Sequence, residues 1–396
     1  MDNIKVAQEC IKAIEKKIKE LKQLNIIVVG KSGVGKSTLI NSIFRENLAE
    51  TGIGRPVTTK IRKIQKKDFP LKIYDTPGFE LGGEQQRKVK DEIIDLIREG
   101  SVAKDINDAI HCVWYCIDGG GSRTFDETEL AWIQELTEAN KVTQVPIIVV
   151  LTQAVPKTHA QKMKAQVEKE NLDIVKVVPL LAQDKNFDDE YIAKAYGLET
   201  LIDVMSEALP DELQETLQNV QKASLDAKKK YSHGIVAASV ATAFGEGFAP
   251  VPFSDAALLI PTQITMIAAI TAVFGLEVNT TLLTAFVSST IGSAGATVLG
   301  KTAAKQIIKL IPGAGTLVGG AISGSAAGLM TTALGEAYIK VMEMIFTGKM
   351  DKEDLYGEKG KETMQQIFKE ELGKKDNHFS IGKLIKGNQE SPEKSE

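Results

Sequence analysis

Apolar β-branched residues crowd into a short run at Ile26-Ile27-Val28-Val29, and the run stops at Gly30. A continuous apolar stretch of this length, closed by glycine, reads as a strand buried on both faces. The same reading holds for Leu71-Lys72-Ile73-Tyr74, Ala109 to Ile117, Val145 to Leu151 and Ile174 to Leu180. From Lys60 to Lys67, Ile61 and Ile64 alternate imperfectly with basic residues, which predicts an edge strand. Helical patterns begin at Thr38-Leu39-Ile40 and recur around Thr128 to Thr137 and Leu198 to Leu209. Strands that alternate with helices predict an α/β domain with a mostly parallel sheet covered on both faces. Its ligand is expected at the carboxyl ends of the strands.

The pattern changes on either side of this region. Ile4, Ala7, Ile11, Ile14, Ile18 and Leu21 recur at spacings of three and four, with Glu and Lys between them, so an amphipathic helix opens the chain. Leu213, Leu217 and Val220 offer it a helical partner, within a charged helix expected over Asp211 to Tyr231 that ends in Lys228-Lys229-Lys230. Gly234 to Phe346 is rich in Ala, Gly, Thr and Ile, with uncharged runs at 256–276, 278–300 and 310–335. The first run is long enough to span a bilayer, although Pro261 and Gln263 interrupt it. Gly313, Gly315, Gly319, Gly320, Gly324 and Gly328 make small-residue ridges that let helices approach closely in water or lipid. Two readings stay open: a compact all-α bundle, or membrane insertion or docking in which the lysine cluster serves as an anchor on anionic lipid. Beyond Gly348 the chain turns polar, with a helix expected at Lys361 to Leu372 and disorder over the last dozen residues. The expected division is an N-terminal helix (1–24), an α/β domain (25–209), a connecting helix (210–233), a hydrophobic helical domain (234–346) and a polar tail (347–396).

At 396 residues, with 43% hydrophobic and 25% charged residues, the chain has material for two or three ordinary globular domains. A formal net charge of −4 argues against nucleic acid as an obligate partner. Three cysteines make no disulfide framework, which places the chain in a reducing, cytoplasmic setting, with membrane association left open. Residues 1–24 carry too many charges for a signal peptide. His111-Cys112-x3-Cys116 resembles a metal-ligand spacing, but it lies on an apolar strand pattern and reads as core packing.

Candidate chemistry concentrates after the first strand. Gly30-x4-Gly35-Lys36-Ser37 stands between a strand and a helix, the setting that a P-loop requires. Gly30, Lys31, Ser32, Gly33, Val34 and Gly35 can turn backbone N–H groups around a phosphate, at the positive end of the helix that opens with Thr38. Lys36 would reach the β- and γ-phosphates, and the Ser37 hydroxyl would ligate Mg²⁺. Asp75-Thr76-Pro77-Gly78 follows a strand one pair downstream. There Asp75 suits the water shell of Mg²⁺, and the Gly78 N–H suits a γ-phosphate contact. A Gly/Pro-punctuated loop at Thr51 to Thr59 and the Gly119-Gly120-Gly121-Ser122-Arg123 loop flank the same strand ends.

Gly30 to Ser37, Pro56-Val57-Thr58, Asp75 to Gly78 and Leu151-Thr152-Gln153 occur in the order of the G-box motifs of translation-factor-type small GTPases. Gly54-x-Pro56-Val57-Thr58 and Ile110 to Ile117 further resemble the interferon-inducible immunity-related GTPases. They resemble still more closely a set of bacterial GTPases with a hydrophobic helical C-terminal domain. The resemblance implies a Ras-like G domain that binds GTP or GDP, with Thr58 closing on Mg²⁺ and the γ-phosphate. It also implies base contacts from Thr152, Gln153 and Ala182. Two departures matter. The aspartate that usually closes the base-recognition motif is absent, since Ala154 and Val155 follow Gln153. Phe79 stands where classical members carry a water-orienting glutamine, and a phenyl ring cannot position water by hydrogen bonding. Hydrolysis is therefore expected to be slow, and to be helped by a homodimer through the G domain or by a partner. Arg123 is one residue that could act across such a dimer. The alternatives are a nucleotide-gated scaffold with little hydrolysis, or an ATPase.

Overall fold

The computed structural model describes residues 3–49, 61–77, 83–121, 125–187, 191–247, 256–292 and 320–387. Thr58, Gly78, Phe79 and Arg123 lie outside them, as do the glycine ridge before Gly320 and the last nine residues. The chain divides into two compact units, residues 21–227 and residues 1–20 together with 228–396.

The first unit is the α/β domain. Its elements run β1 (Leu24–Val29), α2 (Lys36–Ile43), β2 (Arg62–Gln65), β3 (Leu71–Asp75), α3 (Gly83–Ser101), β4 (Cys112–Asp118), α4 (Glu127–Asn140), β5 (Ile147–Thr152), α5 (Lys157–Lys169) and β6 (Lys176–Pro179). A small hairpin follows, β7 (Lys185–Phe187) and β8 (Tyr191–Ala193), and then α6 (Leu198–Ala208) and α7 (Asp211–Val220). The main sheet has the order β2-β3-β1-β4-β5-β6. Only β2 runs antiparallel, and it lies at the edge that its basic pattern predicts. Alternate residues of β1 feed opposite faces, as the two-residue period of a strand demands. Ile26 and Val28 enter one core with α2, α6 and α7, while Ile27 and Val29 enter the other with α3, α4 and α5. Helices α3 and α5 and the β7–β8 hairpin are additions to the sequence reading. Their apolar residues are diluted by charge, as in Lys157–Lys169, so periodicity alone marks them weakly.

The second unit is helical: α1 (Asn3–Glu20), α8 (Leu225–Gly247), α9 (Ala256–Phe274), α10 (Thr280–Val287), α11 (Gly320–Phe346) and α12 (Glu358–Gly387). The boundary between the two units falls in the first turn of α8. Helix α1 lays its Ala7–Cys10–Ile14 face on α9 and α10. The pairing of α1 with Leu213, Leu217 and Val220 is not what forms, because those three residues are buried in the G-domain core as part of α7. Gly335 of α11 permits a close crossing, since a Cβ there would run into Val236 of α8 and the Met266 sulfur of α9. Ile270, Phe274, Phe286 and Tyr338 are buried in this unit, the Phe286 and Tyr338 rings stand 4.9 Å apart, and the Tyr338 hydroxyl finds the Thr271 hydroxyl at 2.7 Å. No helix among the described residues is long and apolar enough to cross a membrane.

Asp211 to Tyr231 is not one helix. Ser224 accepts the Ala227 N–H as the N-cap of α8, and the Gln221 side chain bonds both backbone groups of Ser224. A capping serine offers the backbone an alternative to continuing the previous helix. The segment between α7 and α8 instead runs along the end of α2, with Lys222 N–H donating to the Ile43 carbonyl. The three lysines of the cluster do not share one environment, and only Lys230 is exposed. Lys228 is fully buried and its ammonium donates to the Val273 and Phe274 carbonyls, at 2.8 and 3.3 Å. These carbonyls end α9, where the helix dipole favours a cation. Lys229 pairs with Glu343 of α11 at 3.3 Å.

Candidate nucleotide site

The loop from β1 to α2 is shaped by its glycines. Gly30 has φ 148°, and a Cβ there would collide with the Cys116 carbonyl on neighbouring β4. Only glycine lets the backbone leave β1 this close to its neighbour strand. Gly33 and Gly35 also take positive φ, and Gly35 is the residue before the first turn of α2. Lys36 folds back over the loop, its ammonium donating to the carbonyls of Gly30 (2.8 Å) and Lys31 (3.1 Å). Ser37 and Thr38 follow in the first turn of α2. This is the strand–turn–helix setting in which backbone N–H groups and a helix N-terminus converge on an anion.

Asp75 ends β3 directly beside β1, in register with Val28. Its carboxyl is buried, and burial raises its pKa, while Lys36 and Arg62 pull it down. Asp75 Oδ1 and the neighbouring Thr76 Oγ1 are buried and have no hydrogen-bond partner among the described residues. Buried polar atoms are nearly always satisfied, so two adjacent unsatisfied oxygens at a strand end mark where something else binds. A carboxylate and a hydroxyl beside Ser37 and Lys36 are hard oxygen donors, and they fit a hydrated Mg²⁺ with phosphate.

The loop after β5 rests on the phosphate loop. The Thr152 hydroxyl lies within hydrogen-bond distance of the Val34 and Ile117 carbonyls, and Gln153 Nε2 donates to the Gly33 carbonyl at 3.0 Å. Ala154 spends its N–H on the Leu180 carbonyl, and its own carbonyl accepts from the Tyr196 hydroxyl. Val155 contributes no acceptor side chain. Ala182, just past β6, is partly buried against the G-domain core. Thus the described P-loop residues, Asp75, Thr152 and Gln153 come together at one end of the sheet. The positions of Thr58 and Gly78 fall outside the described residues.

His111, Cys112 and Cys116 build no metal site. His111 Nδ1 accepts the Asn25 N–H and Nε2 donates to the Ile106 carbonyl, which uses both ring nitrogens. Burial pushes both thiols up to about 12, so neither offers a thiolate. Two contributors carry no sequence pattern that marks them. Thr76 sits inside the Asp75 to Gly78 motif with no spacing signal of its own. Glu129 of α4 carries the loop's Lys31 on one carboxylate oxygen (2.6 Å) and the Tyr115 hydroxyl on the other (2.8 Å). Its spacing from the helix cap Asp126 gives it the appearance of an ordinary first-turn acid.

Fold and site define a nucleotide-binding P-loop G domain of the GTPase type. Residues 25–153 match the family model described as 50S ribosome-binding GTPase. Residues 208–377 match a domain of unknown function, DUF697. A match to a GTPase family model over the sheet domain is thus followed along the chain by a match to DUF697 over the helices that come after it. It is 36% identical over 107 residues to the translocase of chloroplast 90 of Arabidopsis thaliana, covering 25% of this chain and 14% of that one. It is 30% identical over 186 residues to septin-1 of Bos taurus, covering 40% of this chain and 49% of that one. The chain thus spans half or less of these relatives. Among solved structures, a probable GTP-binding protein engB is 23% identical, with 46% of this chain and 97% of that chain covered and a TM-score of 0.33.

Proposed function

We propose that this chain binds GTP with Mg²⁺, hydrolyses it to GDP and phosphate, and uses the nucleotide cycle to control its helical unit. The observation that carries this reading is the pair of unsatisfied buried oxygens, Asp75 Oδ1 and Thr76 Oγ1, beside the Lys36 loop. Mg²⁺ would be held by Ser37, by Asp75 through water and, in the GTP state, by Thr58, and it supplies neutralisation of phosphate charge. Lys36 faces the β- and γ-phosphates, Ser32 and Gly33 line the loop, and Gly78 senses the γ-phosphate. Phe79 offers no hydrogen bond to water, so the intrinsic rate is low and a homodimer through the G domain, or another partner, completes the site. The sequence resemblance to the immunity-related and bacterial GTPases supports the same cycle. Membrane lipid is a candidate target of the helical unit.

The second reading, a nucleotide-gated scaffold with little turnover, is also favoured by Phe79. An ATPase is the third, because Val155 offers guanine no acceptor. Phosphate release from GTP and ATP, measured over a range of protein concentrations, separates them. A rate per chain that rises with concentration is expected, with Lys36→Ala binding no nucleotide and Thr58→Ala losing GTP response while keeping GDP. Retention of GTP without phosphate release selects the scaffold. Competition by ATP as effective as that by unlabelled GTP removes the guanine reading.

A further inference from the structure

Lys31, the second residue of the phosphate loop, sends its side chain away from the loop's interior to Glu129 on α4, at 2.6 Å. The Glu129 side chain is only 3% exposed, and its other oxygen accepts from the Tyr115 hydroxyl, itself buried in β4. Burial, followed by the charge of Glu129, holds the Tyr115 hydroxyl well above its ordinary pKa, so it stays a donor. A carboxylate this buried needs its cation, and a charge-assisted pair in low dielectric has a defined geometry. The loop N–H groups must stand in one arrangement to hold a phosphate; Thr152 and Gln153 tie the loop's Val34 and Gly33 to the end of β5, and Lys31 ties its start to α4.

We propose that Glu129 is a positioning residue for nucleotide affinity, acting through Lys31 and oriented by Tyr115. The inference rests on the reading of this loop as the phosphate site. Glu129→Gln keeps size and the Tyr115 contact but releases the Lys31 charge pair. Lys31→Met instead strands a buried carboxylate next to the phosphates, which is worse for an anion. Binding of a fluorescent GDP, 2′/3′-methylanthraniloyl-GDP, is measured with the full chain by stopped flow and titration. Glu129→Gln is expected to weaken binding about tenfold, mainly through faster dissociation, which corresponds to about 1.4 kcal/mol. Lys31→Met is expected to weaken it further, and the double variant to bind better than Lys31→Met alone. A purely structural role would lower the melting temperature and leave the affinity of the folded chain unmoved. Affinity within twofold of the parent for Glu129→Gln, or a double variant with the two losses simply added, overturns the proposal. Failure of the parent chain to bind the probe overturns the phosphate-site reading instead.

Discussion

His111 shows how one side chain can tie a pH dependence to the fold. Asn25 donates its N–H to Nδ1, Nε2–H donates to the Ile106 carbonyl, and the Asn25 amide reaches the Asn107 and Ala109 carbonyls. The knot needs a neutral ring. Burial lowers the His111 pKa from 6.5 to about 4, with Lys72 pushing the same way and the Ile106 bond opposing it. Between those values the unfolded chain binds the extra proton and the folded chain does not, so stability rises with pH across this window. The contribution is complete above pH 6.5 and is lost as pH falls to about 4, amounting to about 3 kcal/mol. Urea unfolding at pH 4.5 and pH 7 measures it, and His111→Asn is expected to flatten the difference. An unchanged pH difference in that variant counts against the assignment. Asp75 belongs to the same scale: its motif is legible in order and spacing, whereas its unpaired oxygen is a fact of burial.

Among elements, α9 and its buried lysine carry the main lesson. Lys228, Lys229 and Lys230 are adjacent in sequence but enter three different environments on α8. The first closes the end of α9, the second pairs with α11, and the third is exposed. Lys228→Met removes a cation from a helix terminus in a buried site, and a loss of about 2 kcal/mol is expected. Lys229→Ala breaks a partly exposed pair and should cost under about 1 kcal/mol. Lys230→Ala should be close to neutral. Chemical unfolding followed by circular dichroism ranks the three, and equal costs would contradict the burial of Lys228. The break between α7 and α8 has the same origin: a serine cap and a glutamine bracket outweigh a pattern that continues as a helix.

At the scale of the molecule, α1 joins helices that follow the G domain in one unit, since it packs on α9 and α10. That unit holds its apolar surface inward through α9, α10 and α11. With two of the three lysines occupied inside it, binding to lipid would need the unit to open and expose apolar surface, rather than a preformed basic patch. Flotation with anionic liposomes is expected for the GTP-loaded chain and not for the GDP-loaded chain. No flotation in either state would remove membrane docking. Equal flotation in both would remove its coupling to nucleotide.

What the residue order determined by itself was local: strands as apolar runs, helices by their period, and the P-loop by glycine and lysine spacing. Those signals depend on a few neighbouring residues, so the strands were readable from their apolar runs and the strand–loop–helix turn at Gly30 to Ser37 from its spacing. Partner choice is not local. An amphipathic face on α1 states that it will be covered, but α9 and α10 rather than Leu213, Leu217 and Val220 cover it, because those three are already needed beneath the sheet. Likewise nothing in Lys228 marks it as the buried lysine, and nothing in Glu129 marks it as the partner of Lys31. Only the folded chain decides these pairings, because each trades desolvation of a charge against contacts made by residues distant in sequence.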